Sequence, residues 1–207
     1  MISVDKYKNQ KILVLGYGIV GKATSKSLVK GFADVFIWDD LLEKRNEAKR
    51  NGLKILNINI ENPLQNISAV IVSPGIPHLY PNPHFLIKIA LNESIEIDND
   101  ISLFFQSLNE NLKNKKNSKV ICITGTNGKS STCHLLNYIL ENCDYDTEIG
   151  GNFGKAALSL LPKKNRSIII LEVSSYQLEI AKTIKSDISA LVNFSNDHFD
   201  RHSGRGG

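Results

Sequence analysis

The sequence predicts an α/β protein with mainly parallel sheet, and three observations carry that expectation. Apolar runs of strand length alternate with segments of helical period, as βαβ units require. Two glycine-rich loops, "LGYGIVGK" and "ITGTNGKSST", each stand between such a run and such a segment. Between the two halves lies a polar stretch rich in lysine and asparagine, "SLNENLKNKKNSK".

The elements follow in order. "KILVL" at residues 11–15 is the first strand, and apolar positions of helical period place a helix over 19–30. "DVFIW" at 34–38 is the second strand, and "EAKRNGL" closes a further helix with Gly52 as its carboxy-terminal cap. An apolar strand at 69–73 runs into "SPGIPH". The second half repeats the scheme, with a strand over 119–124, a helix over 129–142 and strands over 167–173 and 188–193. A boundary between two nucleotide-sized units is expected between residues 97 and 118, dividing the chain into 1–98 and 99–207.

Composition narrows the function. Twenty-five Lys+Arg against 21 Asp+Glu give a formal charge of +4, too weak a bias to argue for nucleic acid, though compatible with small anionic ligands. The three cysteines, Cys122, Cys133 and Cys143, form no CxxC pair, and two lie in segments that read as buried, which suits a reducing compartment. "MISVDKYKNQ" holds no apolar core of signal length, and the apolar runs are far shorter than the roughly 20 residues of a membrane helix. A cytoplasmic protein with no membrane or nucleic-acid partner is expected; the sequence does not specify its oligomeric state.

In the second loop, Gly125, Thr126, Asn127 and Gly128 form the turn, and Lys129, Ser130 and Ser131 open the helix. Such a junction aims backbone N–H groups and the positive end of a helix dipole at one spot, where an anion binds. Lys129 would reach terminal phosphates and the Ser130 hydroxyl would ligate Mg²⁺, which predicts a triphosphate site. The strict Walker pattern would need glycine where Ile123 stands, so this is a shorter variant. Downstream, Glu172 ends a strongly apolar strand, where a carboxylate is costly unless it meets a cation. Mg²⁺ shared with the triphosphate, or a buried lysine, would supply one. Ser174 and Ser175 read as helix caps. Asn152, between glycines in "IGGNFGKAAL" ahead of another expected helix, suggests a further close approach to ligand. His198 in "NDHFDRH" is either a metal ligand or proton-transfer group beside Asp197 and Asp200, or a solvated side chain.

The first loop fits the dinucleotide fingerprint, with Asp39 near the spacing of a ribose-binding acid. NAD, a flavin or any ribose-bearing diphosphate, including a UDP-sugar, satisfies it. Gly75, after the strand ending near Ser73, either lets a phosphate approach or belongs to an ordinary turn.

Taken together, "LGYGIVGK", "VSPGI", "ITGTNGKSST", "GGNFG", "LEVSSYQLE" and "NFSNDHFDRH" resemble the ATP-dependent Mur ligases of peptidoglycan synthesis, over nearly the whole chain to His202. The resemblance implies a Rossmann-like first domain that holds the UDP part of the substrate, with Gly18, Asp39, Asp40 and Gly75 as candidates. It implies a P-loop-type central domain in which residues 125–131 cradle ATP, Lys129 and His198 are catalytic, Ser130 and Glu172 serve one Mg²⁺, His198 serves a second, and Asn152 lies at the substrate cleft. Within the family, "SSYQLE" and "DHFDRH" resemble the member that joins D-glutamate to UDP-N-acetylmuramoyl-L-alanine through an acyl phosphate. The family continues beyond the point where "SGRGG" closes this sequence, with more of the central domain, a carbamylated lysine and a third domain. The central domain is therefore expected to be incomplete, the chain being either a fragment or one with an altered carboxy terminus. Two other classes stay open: an NAD-dependent oxidoreductase using the first loop alone, and a non-catalytic nucleotide-binding module.

Overall fold

A computed structural model describes residues 1–111, 118–161 and 167–195. They fall into two compact units, Ser3–Asp100 and Met1–Ile2 with the described residues from Ile101 on. The division thus lies at Asp100–Ile101, and the two amino-terminal residues join the later unit, with Ile2 N–H donating to Leu158 O at 2.9 Å.

The first unit carries β1 (Lys11–Leu15), α1 (Ile19–Lys30), β2 (Asp34–Trp38), α2 (Leu42–Arg50), β3 (Lys54–Ile55), β4 (Ala69–Val72), α3 (Phe85–Asn92) and β5 (Glu96–Asp98). Its five strands are parallel in the order β3-β2-β1-β4-β5. From β1 the chain winds outward to β2 and β3 on one side and returns to β4 and β5 on the other. The crevice at the carboxyl ends of β1 and β4 is therefore a topological switch point, where open α/β sheets bind ligands. β1 and β4 are buried along nearly their whole length, which is why they read as unbroken apolar runs.

The helix α4 (Asp100–Asn111) begins at the division. The polar stretch that begins at Ser107 opens inside this helix, which buried Ile101, Leu103, Phe104, Phe105 and Leu108 anchor. The second unit continues with β6 (Lys119–Thr124), α5 (Lys129–Asn142), β7 (Asp146–Gly151), β8 (Ser167–Glu172), α6 (Ser175–Ile180) and β9 (Ile188–Leu191). These four strands are parallel in the order β7-β8-β6-β9. The chain leaving β6 crosses to β7, whereas the chain leaving β8 crosses the other way to β9. The switch point accordingly falls between the carboxyl ends of β6 and β8.

The core under α5 joins Ile121, Ile123, Cys133, Ile168 and Ile170, with Leu136, Leu140 and Ile149 packed against it. The helix expected after "GGNFG" is only a single 3-10 turn at Ala157–Ser159, because Ala156 and Leu160, on either side of it, are extended. At the edge strand β9, Ile188 and Leu191 are exposed, and Phe194 just beyond is 80% exposed. No helix of the described residues is long and apolar enough to cross a membrane.

Candidate functional site

In the second unit the residues after β6, β7 and β8 converge. Gly128 takes a left-handed conformation, φ 80°, as the amino-terminal cap of α5, a geometry that favours glycine. The chain turns there from the loop after β6 into α5. Thr132 N–H is bonded to Gly128 O at 2.9 Å, and the amides of Gly128, Lys129, Ser130 and Ser131 precede the intrahelical ladder. Lys129 folds over the loop that precedes it, its Nζ donating to Gly125 O at 2.7 Å and Thr126 O at 2.9 Å.

Glu172, at the end of β8, is 2% exposed. It meets no lysine. Its Oε2 accepts from Ser130 Oγ at 2.6 Å and its Oε1 from Asn152 Nδ2 at 3.1 Å. Asn152 is held in place by its own amide, which donates to Glu172 O at 2.8 Å and so continues the pairing of β7 with β8. Three residues from three segments, spaced 42 and 20 positions apart, thereby share one carboxylate. Two hard oxygen donors, Ser130 Oγ and Glu172 Oε2, adjoin the open amides of α5, and that donor set suits Mg²⁺. Among the described residues no group of three or more His, Cys, Asp or Glu could hold a metal ion. A cation here would complete its shell with phosphate oxygens and water. His198 lies outside the described residues.

Ser174 is the amino-terminal cap of α6, in a reciprocal capping box with Gln177. Cys133 is fully buried, and burial, with the Glu172 charge adding, pushes its thiol up to about 11; burial does the same for Cys122, also to about 11. Both stay protonated near neutral pH, so neither is an activated nucleophile.

In the first unit, Gly18, Asp39, Asp40 and Gly75 lie at the carboxyl ends of β1, β2 and β4. A Cβ on Gly21 would stand 1.9 Å from Gly16 O, so α1 packs against the loop with no room for a side chain. A Cβ on Gly18 or Gly75 would meet nothing within 4 Å. Those two positions face open space rather than protein.

The two neighbouring acids differ in employment. Asp39 Oδ2 accepts from Tyr17 N–H at 2.7 Å and its Oδ1 from Leu41 N–H at 2.9 Å, so both oxygens hold backbone. Asp40 Oδ1 accepts from Trp38 Nε1 at 3.2 Å and bonds His84 Nε2 at 3.0 Å. The His84 bond is the largest cause holding the Asp40 carboxyl below the usual carboxylate range; partial burial opposes it, and the Trp38 bond and Arg45 charge assist. His84 Nδ1 accepts from Leu86 N–H at 3.2 Å, which leaves the ring proton on Nε2, directed at Asp40. Neither His84 nor Asn193, described below, was visible as a functional candidate in the sequence, because each acts on a residue more than 40 positions away.

Residues 123–206 match the Mur ligase middle domain. Over 209 aligned residues the whole chain is 38% identical to UDP-N-acetylmuramoylalanine--D-glutamate ligase of Cereibacter sphaeroides and 40% identical to the protein of that name in Dinoroseobacter shibae. The alignment covers 45% of each of those proteins. The Bartonella henselae protein of the same name is 39% identical over 206 residues, which are 98% of this chain and 44% of that protein. The chain thus spans about half the length of the curated relatives it matches. By these matches residues 123–206 are similar to the Mur ligase middle domain, and the whole chain is similar to about half of each of these ligases.

Proposed function

We propose that the chain takes part in ATP-dependent amide-bond formation in peptidoglycan synthesis, in the cytoplasm, joining D-glutamate to UDP-N-acetylmuramoyl-L-alanine. The observation that carries this reading is the buried Glu172 carboxylate, bonded to Ser130 of the phosphate-loop helix on one oxygen and to Asn152 on the other. The relatives' names supply the substrates.

A carboxylate is a poor acyl donor, since its charge repels an incoming amine and oxide cannot leave. In this reading the alanyl carboxylate attacks the γ-phosphorus of ATP and ADP departs, giving an acyl phosphate. The D-glutamate nitrogen then attacks the carbonyl carbon, loses its proton, and inorganic phosphate leaves with its bonding pair. The open amides of Gly128–Ser131 hold the phosphates, and Lys129 swings from Gly125 O and Thr126 O to offset charge as the phosphoryl group moves. Ser130 and Glu172 would hold Mg²⁺, which when bound would neutralise phosphate charge. Asn152 is kept beside the reacting end by Glu172. In the first unit, Gly18 and Gly75 admit the UDP diphosphate, Asp39 shapes the loop and Asp40 offers its remaining oxygen to the nucleoside.

Phosphate release from MgATP, measured with UDP-N-acetylmuramoyl-L-alanine and D-glutamate omitted in turn, tests the reading. Release that requires the UDP-substrate, and a product amide that requires D-glutamate, is expected. Tight NAD binding with no phosphate release would overturn it in favour of an oxidoreductase.

A further inference from the structure

The second glycine loop is gripped from outside by residues that follow β9. β9 pairs with β6 so that Leu191 lies opposite Thr124, and Val192 N–H donates to Thr124 O at 2.9 Å. The next residues run beside the loop. Thr126 N–H donates to Asn193 O at 3.2 Å, and Ser195 N–H donates to Thr126 Oγ1 at 3.0 Å. The Asn193 side chain makes a two-point contact: its Oδ1 accepts from Asn127 N–H at 2.9 Å, and its Nδ2 donates to Asn127 O at 2.7 Å. An asparagine amide has an acceptor and a donor side by side, so it can satisfy both groups of one residue's backbone.

Asn127 N–H and Asn127 O belong to two consecutive peptide planes. A trans peptide points its N–H and its C=O in opposite directions. Drawing Asn127 N–H toward Asn193 therefore turns Thr126 O the other way, where Lys129 Nζ meets it at 2.9 Å. Drawing Asn127 O toward Asn193 likewise turns Gly128 N–H away from Asn193. The amides of Thr126 and Asn127 are already committed to Asn193. Within residues 126–131, phosphate donors are thereby confined to the amides from Gly128 onward.

We propose that Asn193 is a positioning residue for nucleotide binding: by holding both backbone groups of Asn127 it sets two peptide planes of the loop, aiming Gly128 N–H outward as a phosphate donor and Thr126 O at Lys129. This rests on the reading of the loop as a triphosphate site. It also makes the loop's donor geometry depend on a residue 66 positions downstream.

The test compares wild type, Asn193→Leu and Asn193→Asp by residue-resolved amide exchange and by titration with a non-hydrolysable ATP analogue and Mg²⁺. Leucine removes both side-chain contacts, whereas aspartate keeps the acceptor and loses the donor. Asn127 N–H should exchange at least tenfold faster in the leucine variant and near the wild-type rate in the aspartate variant. Thr126 N–H, bonded to backbone, should stay protected in all three. Analogue affinity should fall at least tenfold in both variants, while UDP-N-acetylmuramoyl-L-alanine affinity stays within twofold. A generally loosened fold would expose Thr126 and Asn127 alike and would overturn the proposal, as would unchanged analogue affinity in both variants. If Asn193→Leu fails to fold, the aspartate variant decides by its analogue affinity. If the wild-type chain binds no analogue, the nucleotide reading itself falls, and the exchange pattern still supports or overturns the clamp.

Discussion

The two glycine loops are alike in sequence setting and opposite in how they are held. The loop after β1 is fixed by its own glycines and by nearby elements. Gly21 leaves no space above Gly16 O, Tyr17 is fully buried with its hydroxyl accepting from Asn51 Nδ2 at 3.1 Å, and Asp39 holds Tyr17 N–H. The loop after β6 has an exposed Asn127 and Gly128, and its lysine rests on its own carbonyls. Its peptide planes are set by Asn193. A loop locked by local packing presents one shape to a ligand. A loop whose lysine rests on two of its own carbonyls keeps a charged group that can change contacts.

That contrast can be broken most severely at Gly21. Gly21→Ala would force a methyl group against a backbone oxygen, and overpacking of this kind costs about 3 kcal/mol, the upper part of the usual range. Urea unfolding should show that loss, and UDP-N-acetylmuramoyl-L-alanine binding should weaken with it. A neutral Gly21→Ala would mean that the first loop is not held by close packing. A smaller effect, about 2 kcal/mol, is expected for Asp39→Ala, which leaves the Tyr17 and Leu41 amides without their charged acceptor. Asp39→Asn, retaining one oxygen, should lose roughly half as much. If Asp39→Ala leaves stability unchanged and abolishes UDP-substrate binding alone, Asp39 contacts ligand rather than the loop.

Much of this was legible in the sequence, and what was not has identifiable causes. The strand–loop–helix junctions were readable because strand, glycines and helix are contiguous: β1 with α1, and β6 with α5, begin and end where their apolar periodicity does. β7 was not expected, since "DTEIGG" has one large apolar residue and forms a strand only by pairing with β8. β3, two residues long at a sheet edge, has too little sequence to signal itself. At the candidate site, Lys129, Ser130, Glu172 and Asn152 each stood out locally, as a phosphate-loop lysine, its hydroxyl neighbour, a misplaced carboxylate and an amide between glycines. Their shared hydrogen bonds come from the strand order, which no local pattern encodes. Asn193 had no local signal, because its partner is reached only through the parallel pairing of β9 with β6.

The central claim is that the chain has two anion-binding loops with separate ligands, the second one for a nucleotide triphosphate. Parallel titrations of wild type and Lys129→Ala, one with UDP-N-acetylmuramoyl-L-alanine and one with a non-hydrolysable ATP analogue and Mg²⁺, test it most directly. The account predicts that Lys129→Ala weakens analogue binding about a hundredfold, the scale of losing one preorganised charge contact, and leaves UDP-substrate affinity within twofold. Equal loss of both ligands, or undiminished analogue binding, would contradict it.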